Sequence, residues 1–464
     1  MSMNVDVKVK NLGKIKDATF KVRPMTVITG YNGTGKSFFT KSLYSIFNVI
    51  NKNVYRETIR NTIRQLQLQI SSSGQIISYP SSNDYFIHQK IQSNLIKLQN
   101  EIDETFEWKI DEFLAFAKSK LIDINKIQEC YNNYLNQLKD KPTKANSILR
   151  ISSAINKTFS QLESQFSGLS NIYERLIKGY IENELKDNFQ ISSLNELISF
   201  GKIKTEILIE GLLNLDISEK GISLKLGTGF IDDIYDLDNV VFFESPAYWK
   251  VRDALKKAKN RPSSISFRQN PDDVLTGVPK YFYDLDIALN TKTKTSSCFE
   301  SIANSLEETL GGEFVFKNDD VSFKDKQTGR DISKNLISFG MTNLGMIQAL
   351  LKHNVITEGS FIFIDEPETN LHPEWQVVLI RALLELAHKG VNIVITTHST
   401  DIIKALEVTI KKQHIDSMED FISVHFVELD GTLLKFESDD VQKQLIEART
   451  ILNSTYETLY FSDL

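Results

Sequence analysis

Gly30-Tyr31-Asn32-Gly33-Thr34-Gly35-Lys36-Ser37 fits the pattern G-x-x-x-x-G-K-[ST] at every position. Pro24 and an apolar run, Met25 to Thr29, precede it, and apolar residues at helical spacing follow from Ser37 to Val49. In that order of strand, glycine-rich turn and helix, backbone N–H groups can turn inward on phosphate oxygens. The helix N-terminus adds positive potential. The pattern assigns Asn32, Gly33, Thr34 and Gly35 to the phosphate cradle, Lys36 to the β- and γ-phosphates, and the Ser37 hydroxyl to a magnesium ion. A glycine-rich turn that binds nothing is the alternative, and the flanking strand and helix argue against it.

A second apolar run, Ser360 to Ile364, ends in Asp365-Glu366. Two adjacent carboxylates at the end of a buried strand are costly unless a cation sits beside them. Magnesium supplies that charge, with Asp365 in its coordination shell and Glu366 polarising an attacking water. A surface turn beginning with two acids is the alternative for Asp-Glu-Pro taken alone. Val391 to Thr397 is another buried-strand run, followed by His398. One helix, Trp375 to His388, separates the two runs, so a doubly wound sheet brings His398 to the same edge, within reach of a γ-phosphate. A satisfied polar histidine at a strand end is the alternative there.

The rest of the chain sets bounds. Its 464 residues leave room for one large domain or two ordinary ones, and 41% hydrophobic with 25% charged residues fits a globular core. No run approaches the roughly 18 apolar residues of a membrane helix. Met1 to Lys14 alternates and is charged, unlike a signal peptide. Cys130 and Cys298 have no metal-ligand spacing, so a reducing cytoplasm is expected. A net charge of -6 provides no global attraction to nucleic acid.

Val5, Val7 and Val9, then Ala18, Phe20 and Val22 around a turn at Asn11 to Gly13, predict an opening strand pair. From about 85 to 200, glycine and proline become scarce and apolar residues recur three or four apart, predicting a helical insertion of two to four helices without sustained heptads. The predicted domains are 1–84, an N-terminal part of the head with the phosphate loop; 85–200, the insertion; and 201–464, the C-terminal part. Within the last, Val240 to Phe243 reads as a strand, Lys259 to Pro271 as a polar loop, and Glu313 to Phe316 with Val321 to Phe323 as a hairpin. Phe421 to Val427 and Thr432 to Phe436 predict a closing hairpin, and Asp440 to Leu452 a last helix. Asp236/Asp238 and Asp284/Asp286 read as strand-end and turn acids.

Glu366-Pro367-Glu368-Thr369-Asn370-Leu371-His372-Pro373, with Thr396-Thr397-His398-Ser399 downstream, resembles the ABC-type ATPases of the overcoming-lysogenisation-defect group, relatives of the RecF and structural-maintenance-of-chromosomes (SMC) ATPases. The resemblance covers about residues 1–50 and 330–410. It implies an α/β fold: an ABC-type P-loop ATPase head with an antiparallel β-subdomain and a helical insertion. Ile337-Ser338-Phe339-Gly340-Met341 stands where that superfamily has Leu-Ser-Gly-Gly-Gln, departing at Phe339 and Met341. Only Ser338 and Gly340 carry over, as groups that cap the γ-phosphate bound to the other subunit. The resemblance also implies a glutamine near magnesium; Gln89 is the candidate, with an ordinary surface glutamine as the alternative.

The expected cofactors are thus ATP and Mg2+, and the expected partner is a second copy, in a homodimer or higher homo-oligomer. About 65 residues follow His398, fewer than the nuclease domain of larger members needs. Stand-alone ATPases of this kind resemble those of the Septu, retron-associated and PARIS antiviral systems, which implies a separate nuclease or toxin as effector. A DNA-binding repair or chromosome-handling ATPase of the RecF/SMC type is the alternative, with Lys250 to Lys259 as its modest support. A transporter's ATPase subunit is a third, and Leu371-His372-Pro373 is atypical of it.

Overall fold

The computed structural model describes residues 4–52, 54–77, 82–105, 110–139, 145–167, 169–227, 237–244, 247–259, 277–290, 297–317, 320–412 and 417–462. The polar loop expected from Lys259 to Pro271 lies outside them apart from Lys259, as does Asp236.

The opening alternation folds as read. β1 (Val5–Leu12) and β2 (Ile15–Val22) pair antiparallel, with Val5 opposite Val22 and Leu12 opposite Ile15. Their apolar residues are buried on one face, each worth about 1.5–3 kcal/mol when taken fully out of water. Beside β1 lie β4 (Lys204–Ile209), β5 (Leu213–Ser218) and β6 (Gly221–Leu226), giving an antiparallel sheet in the order β2-β1-β4-β5-β6.

The second five-stranded sheet is parallel throughout. It takes β3 (Met25–Gly30), β7 (Val240–Phe243), β11 (Phe361–Asp365), β12 (Asn392–Thr396) and β13 (Ile422–Val427), in the order β13-β3-β12-β11-β7. A small antiparallel sheet comprises β8 (Gly312–Lys317), β9 (Asp320–Asp325) and β10 (Asp331–Ser333). Strands covered on both faces read as continuous apolar runs, and every residue of β3, β11, β12 and β13 is buried. Helix α1 (Lys36–Asn51) packs on β7, β11 and β12, with Phe47 against Phe361 and Tyr44 against Phe242. Phe20 stacks on Phe39 at 3.9 Å between ring centroids, joining the antiparallel sheet to α1.

The expected closing hairpin forms in part. β13 adds to the parallel sheet beside β3, and residues 432–434 return antiparallel to it: Val427 bridges Leu433, Glu428 N donates to Thr432 O and Leu434 N donates to Phe426 O, both at 2.9 Å. The buried run Ile422–Val427 has no solvent face because β13 is also a strand of the parallel sheet.

Beyond α1, the longer helices among the described residues are α2 (Val54–Ile77), α3 (Ser82–Glu104), α4 (Ile110–Lys139), α5 (Ala145–Ser167) and α6 (Leu169–Phe189), then α7 (Lys280–Asn290), α8 (Glu300–Leu310), α9 (Phe339–Lys352), α10 (Pro373–His388), α11 (Thr400–Lys412) and α12 (Val441–Ser462). The chain divides into a head, Met1–Asn51 with Ile181–Leu464, and a helical unit, Lys52–Tyr180, rather than at residues 84 and 200. In the unit, Ile59, Ile63, Leu66 and Ile70 of α2, Ile91, Leu95 and Leu98 of α3, Tyr131 of α4, and Phe159 and Leu162 of α5 form its own core. The C-terminal half of α6 belongs to the head. Glu184 and Asn188 are buried there, accepting from Asn48 at 2.5 Å and donating to Ser45 at 3.0 Å.

Asp284 and Asp286 stand on α7, not in a turn. Asp286 is buried against the fully buried Arg252, and Asp284 accepts from Lys280 at 3.1 Å. Asp238 precedes β7 and accepts from Thr357. Among the described residues, no helix is long and apolar enough to cross a membrane.

Candidate nucleotide site

The parallel sheet aligns β3, β12 and β11, so the segments after their C-terminal ends share one edge. β3 passes into the glycine-rich turn at Gly30, where φ is 129°. A side chain there would strike the Val427 backbone of β13, so the loop can start only on a glycine. Thr34 is buried and its hydroxyl donates to Tyr31 O at 2.9 Å, which closes the turn. Lys36, 6% exposed, donates to Gly30 O at 3.0 Å and Tyr31 O at 2.7 Å. Burial pulls its pKa below the ordinary lysine value, against the opposing pull of Glu366, Asp365 and Glu368. An anion in the loop would compete with those two carbonyls for the ammonium.

Asp365 closes β11 and is 8% exposed. Burial raises its pKa, while the side chains of Thr396 and Ser37, which favour its anion, oppose; Glu244 raises it and Lys41 lowers it. Thr396 donates directly to Oδ1. A buried carboxylate beside a serine hydroxyl offers the oxygen donors that suit a hard divalent cation. Ser37 and Asp365 therefore fit magnesium.

Glu366 takes a left-handed φ of 52°, and its amide donates to Thr396 O at 3.0 Å. That backbone strain turns the strand end sharply, leaving the Glu366 side chain 46% exposed. His398 Nδ1 lies 3.5 Å from Glu366 Oε1 and 3.5 Å from Glu368 Oε1. Glu368 is nearly buried, and its Oε1 accepts from Thr397 Oγ1 at 2.9 Å and His398 N at 3.1 Å. This carboxylate fastens the segment carrying the histidine to the segment carrying Glu366.

Ser338 caps the N-terminus of α9, accepting from Met341 N at 3.2 Å, and is exposed. Gly340 is buried, and a Cβ there would come within 2.6 Å of Asn370 O. The α9 helix is thus pressed on the Pro367–Leu371 turn of its own chain, where Asn343 Nδ2 donates to Pro367 O at 3.2 Å. Ser338 and Gly340 make their described contacts with Met341 and Asn370 rather than with residues 30–37.

Gln89 stands on α3 of the helical unit, where its amide donates to Tyr85 Oη at 2.6 Å. What the sequence reading passed over is Glu244, at the end of β7 beside Asp365. Its Oε1 is 3.1 Å from Lys41 Nζ, and Tyr281 donates to Oε2. The signal was present, because Glu244 follows Val240–Phe243 just as Asp365 follows its own apolar run. Lys250 to Lys259 is partly consumed internally: Lys250 donates to Lys334 O at 2.6 Å and to Ile337 O, and Arg252 and Lys256 pair with Asp286.

Several solved structures are similar. The SMC head bound to the C-winged helix domain of ScpA shares 11% identity over 94% of this chain and 98% of that one, with a TM-score of 0.39. The SMC head domain from Thermotoga maritima shares 11% over 94% and 100%, at 0.33. An SMC head domain with a coiled coil and joint from Pyrococcus yayanosii shares 11% over 98% and 100%, at 0.34. No curated protein matches the chain. The family model of the AAA ATPase domain matches residues 3–403, most of the chain, and the protein therefore belongs to that ATPase family.

Proposed function

We propose that this ATPase works in pairs, each phosphate loop closed by the Ser338 segment of a second copy, and that the ATP-bound pair holds or releases a separate effector protein. The observation that carries the catalytic part is the gathering of Lys36, Asp365, Glu366 and His398 at one sheet edge, with Glu368 linking the last two. Lys36 would neutralise the β- and γ-phosphates, and the amides of Asn32 to Gly35 would cradle them. Bound magnesium, held by Ser37 and Asp365, would screen phosphate charge. Glu366, free to reach solvent, would orient a water and take its proton, while His398 would hold a γ-phosphate oxygen.

Support for the effector part is the resemblance of Glu366–Pro373 and Thr396–Ser399 to the overcoming-lysogenisation-defect group of ATPases, whose stand-alone counterparts in antiviral defence have a nuclease or toxin as a separate chain. The test uses Glu366→Gln, expected to retain ATP, as bait in the native cells. Stoichiometric, ATP-dependent recovery of a nuclease-like or toxin-like protein supports the reading. Salt-dependent duplex DNA binding without such a partner would replace it with the repair or chromosome-handling reading.

A further inference from the structure

The hairpin turn between β1 and β2 forms one wall of the phosphate loop. Ile15 lies against Gly35, and a Cβ built on Gly33 would be 3.7 Å from Lys14 Nζ, with no other atom within 4 Å. Lys14 therefore hangs over the middle of the loop. The neighbouring lysines are all engaged: Lys8 with Glu210 at 2.6 Å, Lys10 with Asp17 at 3.6 Å, and Lys16 with Asp430 at 3.1 Å. Lys14 is exposed and has no carboxylate or carbonyl partner among the described residues.

Its backbone, in contrast, is held from two sides. Gly13 N donates to Leu197 O at 2.8 Å and Ser199 Oγ donates to Gly13 O at 2.6 Å. Lys16 N donates to Gly431 O at 3.0 Å, and Gly431 lies so close to the Lys14 carbonyl that no side chain fits there. A cation without a counter-ion, on a pinned turn and over the middle of a phosphate-type loop, is arranged to receive negative charge.

We infer that Lys14 is a second cation of the nucleotide site, contacting the phosphate chain of ATP or ADP where it passes Gly33. This rests on the phosphate-loop reading. Because Lys14 is exposed, its contribution is smaller than that of buried Lys36. An ion pair near a protein surface at about 4 Å is compatible with roughly a tenfold effect on affinity at low salt.

The test is calorimetric titration of the full chain with ATP and ADP at low salt, comparing Lys14→Met, Lys14→Gln and Lys14→Arg with the parent and Lys36→Ala. Both neutral variants should bind about tenfold more weakly, Lys14→Arg should bind within about threefold of the parent, and the difference should shrink as salt is raised. Unaltered melting without nucleotide is expected, since Lys14 holds nothing. If a neutral variant binds ATP like the parent while Lys36→Ala does not, the inference about Lys14 fails alone. A loss that arginine does not restore overturns it as well, by making the role one of shape. If Lys36→Ala also binds normally, the phosphate-loop reading itself is wrong.

Discussion

Along the edge formed by β3, β11 and β12, each strand residue is buried, and apart from the solvent-open Glu366 side chain the main polar groups that emerge are held by neighbours of the same chain. Lys36 is held by Gly30 and Tyr31, Asp365 by Thr396, and His398 N by Glu368. The Ser338 segment is built the other way. Its helix start is anchored from behind by Asn343 and Gly340, while Ser338 is exposed, together with Phe339 at 41% and Leu336 at 80%. One region is complete within a single chain, and the other is rigid but offers its polar and apolar groups outward. Exposed groups on a rigid support are what a second surface could use, and that is why the proposed site is shared.

The largest expected effect tests the self-contained side. Lys36→Ala should abolish measurable ATP binding by calorimetry, while melting without nucleotide shifts little, because the ammonium's partners are two loop carbonyls rather than core. A variant that binds ATP like the parent would remove the loop from the site.

Next comes the outward side. Ser338→Arg places a long cation where a partner's γ-phosphate would dock. It should keep ATP affinity within about threefold, yet lose hydrolysis and ATP-induced association on a sizing column. Losing the N-cap costs the helix about 1 kcal/mol, so Ser338→Asn, which retains a cap, is the control for folding. Mixed with Lys36→Ala, up to about half of one-site activity could return, since one of the two sites in a mixed pair keeps both intact parts. Normal hydrolysis by a monomeric Ser338→Arg chain would show that the site needs no second copy.

The same contrast governs what could be read from the sequence. β3, β11 and β12 are short apolar runs that end in the candidate site residues, so their place in a parallel sheet followed from pattern alone. β13 has the same buried pattern and the turn at Leu429-Asp430-Gly431 closes as read, but its pairing with β3, about 400 residues away, is not encoded in local turn chemistry. Glu244 went unassigned because a lone strand-end acid is ordinary until Asp365 stands beside it. Asp284 and Asp286 alternate with apolar residues in Tyr283-Asp284-Leu285-Asp286, a period of two lying on a helix that tertiary ion pairs stabilise. The role of Glu368 was hidden for a different reason. Its partners, Thr397 and His398, come from another strand end, and spacing along the chain does not encode which acid of an Asp-Glu-Pro-Glu run turns inward.

Glu366→Gln should bind ATP but turn it over at least about 100-fold more slowly, as expected for loss of a positioned base. The neutral amide keeps the size of the side chain, so binding and association should survive, and the ATP-bound pair should accumulate. Unchanged turnover would pass the role of base to Glu368.

Glu368→Gln separates those two carboxylates and carries the smallest effect. Glu368 Oε1 accepts from Thr397 Oγ1 and from His398 N, and both bonds require an acceptor oxygen that glutamine can still present. What glutamine loses is the negative charge 3.5 Å from His398 Nδ1 and the freedom to present either oxygen. The side chain is nearly buried and Oε2 has no partner among the described residues, so it is less open to an attacking water than Glu366, the proposed base. As a positioning residue, its substitution should lower kcat about tenfold, with KM for ATP within about threefold, because orientation of His398 matters most when γ-phosphate charge develops. Glu368→Ala, which removes the acceptor altogether, should lower kcat further than Gln and also lower the melting temperature, since two donors at adjacent positions lose their partner. The graded order Gln above Ala distinguishes positioning from proton transfer, in which both variants would fall together by about 100-fold or more. Equal, deep losses in the two variants would make Glu368 the base and leave Glu366 as the strained corner that merely turns the chain.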